Sequence, residues 1–431
     1  MSLRFAKNIF WLALIALALL FEVMMQMNNR GSAQIFQVKE GSLLQNFSEV
    51  SFAENLVYPY KTNSWFSSAY RSPSDVIFAL PGSFRITEDG LEVGLPVPHA
   101  NTQGVFAPHI AECVISNSDG SVLSSDVLSY HDWDVSVQMR TSTDTLKVSL
   151  VQGSPFVFIE SSLPLVVKCG GSLGMTDAGV IWNEGERNIF MQGENGVAKE
   201  AGGSFVVTSD KGNYRIGFAM NSFVDVVKTY PWREILQTQV DYKVGEEKIT
   251  SKYSFRTYPE GKVLTTLWPH QIPYIEGAFE EIGRFNTVRG DLTLVETEQF
   301  KLFHPTPLLP DTFSMISSEA GQEAMKGSLA QDLTYYLDEN TVVPGGVYFK
   351  GTHLGALTSL LQLVDIYGTE EEVTMVADKL EHVLDEGLKT LSYDEKLKSV
   401  YASNDEFGNS EHNDHHFHYA YYIRAAAVLG T

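Results

Sequence analysis

The segment Asp134-Val-Ser-Val-Gln-Met-Arg140, followed by the turn Thr141-Ser-Thr-Asp144 and then Thr145-Leu-Lys-Val-Ser-Leu-Val151, decides how the front of this chain folds. Successive side chains of a strand point to opposite faces. Val135, Val137 and Met139 therefore share one face, and Leu146, Val148 and Leu150 repeat it after the turn. That is the pattern of an antiparallel hairpin. The same signal recurs outward from it. Phe205-Val-Val207, the turn Ser209-Asp-Lys-Gly212 and Tyr214 to Phe218 read as a second hairpin, and Asn117-Ser-Asp-Gly120 marks a third. Short strands at this spacing, with no helical period between them, predict a large β-sandwich over residues 34–262.

The period changes further along. Residues 263–310 mix short strands with Pro305, Pro307 and Pro310, and are expected to form a small linking α/β subdomain. Past Asp311 the spacing is helical. Thr369 and Glu372 form a capping box, and Val373, Val376, Ala377, Leu380, Val383 and Leu384 follow as an apolar stripe. His353 to Tyr367 carries a similar stripe, and a last apolar helix runs from about Asp414 to Leu429. The expected class is multidomain β + α. The roughly 120 residues of 311–431 make only four or five helices of ordinary length. With no closing turn after the last of them, the helical domain is expected to be incomplete.

Bulk properties narrow the function more than the fold. A chain of 431 residues suggests two or three domains at about 150 residues each. Acidic residues outnumber basic ones 53 to 31, for a formal charge of -22. Such a field repels phosphate backbones and argues against nucleic acid as a ligand, while leaving neutral polymers unpenalised. Arg4 and Lys7 precede an apolar run from Ile9 to Phe21, and Gly31-Ser-Ala33 offers small residues for cleavage. That order reads as a secretory signal peptide over residues 1–33, with an uncleaved anchor as the alternative. After cleavage no membrane span is expected, and the product is taken as a secreted, extracellular or cell-wall-associated monomer. Cys113 and Cys169 are the two cysteines; in an exported protein they form one disulfide or remain buried thiols. Asn46-Phe-Ser48 is a glycosylation sequon.

Chemistry concentrates near the end of the chain. His412, His415, His416 and His418 are four of the eleven histidines, set around Asp414 and followed by Tyr419, Tyr421 and Tyr422. One reading is a metal site built on His412/His416 or His415/His418, giving a metal-dependent hydrolase; the spacing matches no zinc-protease pattern. A second is structural, with Asp414 capping the helix through its carboxylate and the histidines packing beside the tyrosines. A third is glycoside hydrolysis. Cleaving an acetal takes one acid to protonate the leaving oxygen and a second carboxylate to activate water or attack the sugar. Aromatic and histidine side chains suit pyranose rings, which present flat apolar faces and hydroxyl edges.

The run Asn413-Asp-His-His-Phe-His-Tyr419, continued by Ala-Tyr-Tyr-Ile-Arg-Ala-Ala-Ala-Val-Leu429, resembles the signature of glycoside hydrolase family 81, the inverting endo-β-1,3-glucanases. Thr62 to Ser67, Val151 to Val157, Leu267 to His270, Thr287 to Gly290, Tyr348 to Gly351 and Ser392 to Asp394 are similar to other runs of that family, in the same order. Ala420 stands where the family usually has glycine, Thr352 lies where it usually has a lysine, and Lys396 to Ser399 replaces a Trp-Gly-Gly-like run. The resemblance implies a β-sandwich, a linking domain and the first helices of an incomplete (α/α)6 barrel. It implies hydrolysis of internal β-1,3-glucosidic bonds, without metal or cofactor, with Asp414 as the general acid. The general base it implies lies beyond residue 431. Sugar contacts are expected from His416, His418 and Tyr419. The alternative of another class is a glucan-binding chain that does not cut its ligand.

Overall fold

The computed structural model describes residues 61, 64–71, 75–171, 173–305, 313–395, 399–402, 406–409 and 414–430. The expected signal peptide, the Asn46 sequon, His412 and Asn413 lie outside them. The fold mixes β and α. Its larger part is two antiparallel sheets, one of seven strands and one of eight. The quoted hairpin sits in the eight-stranded sheet with Val135 opposite Leu150, Val137 opposite Val148 and Met139 opposite Leu146. All six of these side chains are buried. The two sheets share one core, where Phe84 of one meets Phe218 of the other edge-on at 5.8 Å. Cys113 and Cys169 face each other on neighbouring strands of the seven-stranded sheet and are bonded as a disulfide.

Two of the three expected hairpins are not hairpins. Ser204–Val207 belongs to the seven-stranded sheet and Asn213–Met220 to the eight-stranded one, so the turn at 209–212 carries the chain between sheets. The turn at 117–120 does the same, joining Cys113–Asn117 to Ser124–Tyr130 across the core. Turn residues fix the reversal of the chain but not the partner of the strand that follows. Ser209 and Asp210 hydrogen-bond to the Glu194 carbonyl, which anchors their turn to a different strand's end.

A second correction concerns the long hairpin Glu234–Val244 and Lys248–Tyr258. Its alternation assigns it to the sandwich, yet its third strand is Gln299–Pro305, from the segment expected to link. Tyr253 and Phe300 stack across that pairing at 4.6 Å and 6°. Alternation reveals a strand with two unlike faces and says nothing of which sheet receives it. Val263–Leu267, Gly283–Thr287 and Gly290–Thr297 form another small sheet. Between 263 and 305 the described residues hold strands and a short 3-10 turn at Ile272–Tyr274, without the α-helix an α/β subdomain would have.

Four long helices follow: α1 (Glu319–Leu337), α2 (Val347–Tyr367), α3 (Glu370–Leu388) and α4 (His415–Leu429). The Thr369–Glu372 capping box is formed, and Val376, Leu380, Val383 and Leu384 are buried as the stripe requires. α2 packs against α1, α3 and α4 around a core that shares no residue with that of the sheets. Between α3 and α4 lies a small hairpin, Leu391–Asp394 with Ser399–Ala402. No helix among the described residues is long and apolar enough to cross a membrane.

Candidate active site

Asp414 opens α4 in an unusual way. A capping aspartate ordinarily has extended backbone angles and accepts a helix amide through its carboxylate. Asp414 instead takes the left-handed conformation, φ 50° and ψ 28°, and makes no side-chain capping bond. Its backbone carbonyl receives the Phe417 and His418 amides at 3.0 and 2.9 Å. The structural reading, in which the carboxylate caps the helix, therefore does not hold. Left-handed angles are costly for a residue with a Cβ and persist where the surroundings impose them. Asp414 is half-buried in this conformation.

The surroundings are organised by Asn409, a residue with no exposed surface. Its Oδ1 accepts the Ala402 amide at 2.8 Å and the Tyr419 hydroxyl at 3.1 Å. That fixes the amide orientation, so Nδ2 donates to His418 Nδ1 at 2.8 Å. His418 is consequently neutral, with its proton on Nε2. Burial holds its pKa below the ordinary histidine value, against the opposing pull of Asp414 and Glu406. His415 is buried as well, with Nε2 on the Asn409 carbonyl at 3.2 Å and Nδ1 near Ser399 Oγ at 3.4 Å. Both ring nitrogens of His415 are thus engaged, which counts against its use with His418 as a pair of metal ligands.

Of the three expected sugar contacts, His416 alone presents an exposed side chain. His418 retains only 1% exposure, with its Nδ1 held by Asn409. Tyr419 is half-buried and spends its hydroxyl on Asn409 and on the Val400 carbonyl, tying α4 to the small hairpin. Burial raises its pKa, keeping the hydroxyl a donor.

Sequence reasoning also missed an aromatic surface beside Asp414. Phe407 is 58% exposed and Phe417 49%. Tyr348 lies between them, stacked on Phe417 at 5.8 Å and edge-on to Phe407 at 4.9 Å. Phe407 and Gly408 both have positive φ, and Glu406 just before them accepts the Tyr348 amide at 2.8 Å and the Phe349 amide at 3.3 Å. Glu406 thus caps α2 from a distant loop, a favourable place for a carboxylate. Gly346 makes this contact feasible, because a Cβ there would overlap the Glu406 carboxylate. The left-handed Phe407-Gly408 turn is the local signal that could have marked this loop.

Residues 316–431 match the family model described as Glycosyl hydrolase family 81 C-terminal domain. A glucan endo-1,3-beta-D-glucosidase of Thermobifida fusca is 25% identical over 416 residues, covering 86% of this chain and 52% of that protein. One from Acetivibrio thermocellus is 24% identical over 422 residues, covering 89% and 53%. The chain thus spans about half the length of these curated relatives. A solved glycoside hydrolase family 81 structure from Clostridium thermocellum shares the fold, with TM-score 0.71 at 21% identity, over 88% of this chain and 57% of that one. Residues 316–431 are thus similar to the C-terminal domain of glycoside hydrolase family 81, and the fold is that of a solved structure of this family.

Proposed function

We propose that the protein acts in hydrolysis of internal β-1,3-glucosidic bonds with inversion, Asp414 supplying the proton for the leaving oxygen. The observation that carries this reading is an aspartate not used as a cap, at the head of a helix beside exposed aromatic rings. As the bond from the anomeric carbon to the glycosidic oxygen breaks, Asp414 gives that oxygen its proton. Water, deprotonated by a second carboxylate, attacks the anomeric carbon from the opposite face. In an inverting pair the two carboxyls lie roughly 6.5–9.5 Å apart. No carboxylate of residues 1–431 is assigned the water-activating role, so this stretch alone is expected to release negligible sugar from laminarin. His416, Phe407 and Phe417 are the residues placed to meet the sugar. In the same reading the two large sheets are a β-sandwich, the small sheets after it link, and the helices begin an (α/α)6 barrel. The protein would be secreted, act on β-1,3-glucan as a monomer and need neither metal nor cofactor.

The test is laminarin hydrolysis by a chain extended to the length of its relatives, with and without Asp414→Asn. General acid catalysis contributes about 10²–10⁴-fold, and the variant should lose that much. NMR of the first product should show the α-anomer. Undiminished release by Asp414→Asn, or a β-anomer, would sink the assignment.

A further inference from the structure

A cleft of about 750 Å³ lies where the eight-stranded sheet meets the two small sheets. No described residue of α1 to α4 is among those that line it. Its size falls within the roughly 300–1,000 Å³ of small-ligand sites. One wall is a run of rings: Trp133 meets Tyr253 at 5.2 Å, and Tyr253 stacks on Phe300. Phe106, on the short hairpin 99–106, forms an exposed lip.

The polar lining indicates the ligand's chemistry. Trp65 Nε1 and Thr266 Oγ1 are buried and have no hydrogen-bond partner, although both side chains line the cleft. Unpaired buried polar atoms are rare in folded proteins because each forfeits its bond to water. Gly153, with φ 85°, contributes to this arrangement: a Cβ there would press on Thr266 Oγ1 at 2.9 Å. A purely apolar ligand would leave both atoms unsatisfied. Asp132 and Arg289 line the cleft with opposite charges, and Asp132 is already engaged by Lys61 and the Val240 amide, so the lining selects no ionic ligand, while a chain of net charge -22 disfavours an anionic one. Flat rings for C–H faces together with unused donors for hydroxyls describe a neutral pyranose chain.

We propose that this cleft is a second glucan-binding site, which holds a β-1,3-linked glucose oligosaccharide apart from Asp414. The choice of sugar rests on the glucanase reading; the choice of a neutral pyranoside rests on the cleft. A polymer gripped there stays near the protein between cleavage events, which raises its effective concentration at a distant catalytic surface.

Tryptophan fluorescence reports on this cleft and not on the helices, because all six tryptophans precede residue 269 and three of them line the cleft. Laminarihexaose added to the 431-residue chain should give a saturable change. Thr266→Val removes the unpaired hydroxyl at constant shape, so it should leave the melting temperature unchanged or raised while weakening binding about fivefold. Phe106→Ala removes an exposed ring and should weaken it by a similar factor. Asp414→Asn should not alter the titration. No saturable change, or one untouched by both cleft variants, would overturn the proposal. Binding with these signatures by a protein that, at full length, hydrolyses no β-1,3-glucan would uphold the cleft while the glucanase reading falls.

Discussion

Asn409 joins three neighbours through its side-chain amide, the Ala402 amide, the Tyr419 hydroxyl and His418 Nδ1, in a position closed to water. Asn409→Ala removes the partner of the Ala402 amide and of His418 Nδ1, while the Tyr419 hydroxyl keeps the Val400 carbonyl. The expected cost is about 2–4 kcal/mol in urea unfolding of the helical region, at roughly 1–3 kcal/mol per unsatisfied group with partial relaxation. A loss below about 0.5 kcal/mol would show that the network does not support the helix start. His418 gives a related pH dependence. Its folded-state pKa is depressed by burial, so the unfolded chain binds the proton more readily. Its contribution is complete above the ordinary histidine value of 6.5 and is lost as pH falls below that toward the folded pKa. Unfolding midpoints at pH 7 and pH 5 should therefore differ, and His418→Asn should shrink the difference.

At the scale of elements, α2 depends on a cap that its own sequence does not contain. Gly346 precedes it with no side chain to offer, and Glu406 arrives from a loop 58 residues away from Tyr348. By contrast, α3 carries its capping box within Thr369 and Glu372. Gly346→Ala should displace Glu406 and lower stability by about 1–2 kcal/mol, the usual cost of a lost cap. Because both residues act through one contact, Gly346→Ala and Glu406→Ala should cost clearly less together than the sum of their separate effects. Full additivity in denaturant melts would refute the coupling. The same contrast explains which elements are legible in the sequence. The α3 stripe and the 134–151 hairpin are specified by neighbours in sequence. The turns at 117–120 and 209–212 are equally clear as turns, yet each sends the chain to the other sheet.

Over the whole molecule, the sheets and the helices have separate cores. Calorimetry should show two transitions. The disulfide closes a loop of sequence separation 56 inside the seven-stranded sheet. Reduction should lower the stability of the β part by about 2–4 kcal/mol and leave the helical transition in place. A shift of both transitions together would mean that the two cores unfold as one unit.

Local sequence suffices for the strand period of the front, the helical period of the back, the capping box of α3 and the placing of Asp414 at a helix start. Each depends on spacing within a few residues, where chain geometry leaves little choice. Tertiary structure alone decided that the 234–258 hairpin joins Gln299–Pro305, that His418 and Tyr419 hold Asn409, and that Trp65 and Thr266 line a common cleft. These outcomes depend on hydrogen-bond and packing partners supplied by distant parts of the chain, and local propensity carries no record of which distant group will arrive.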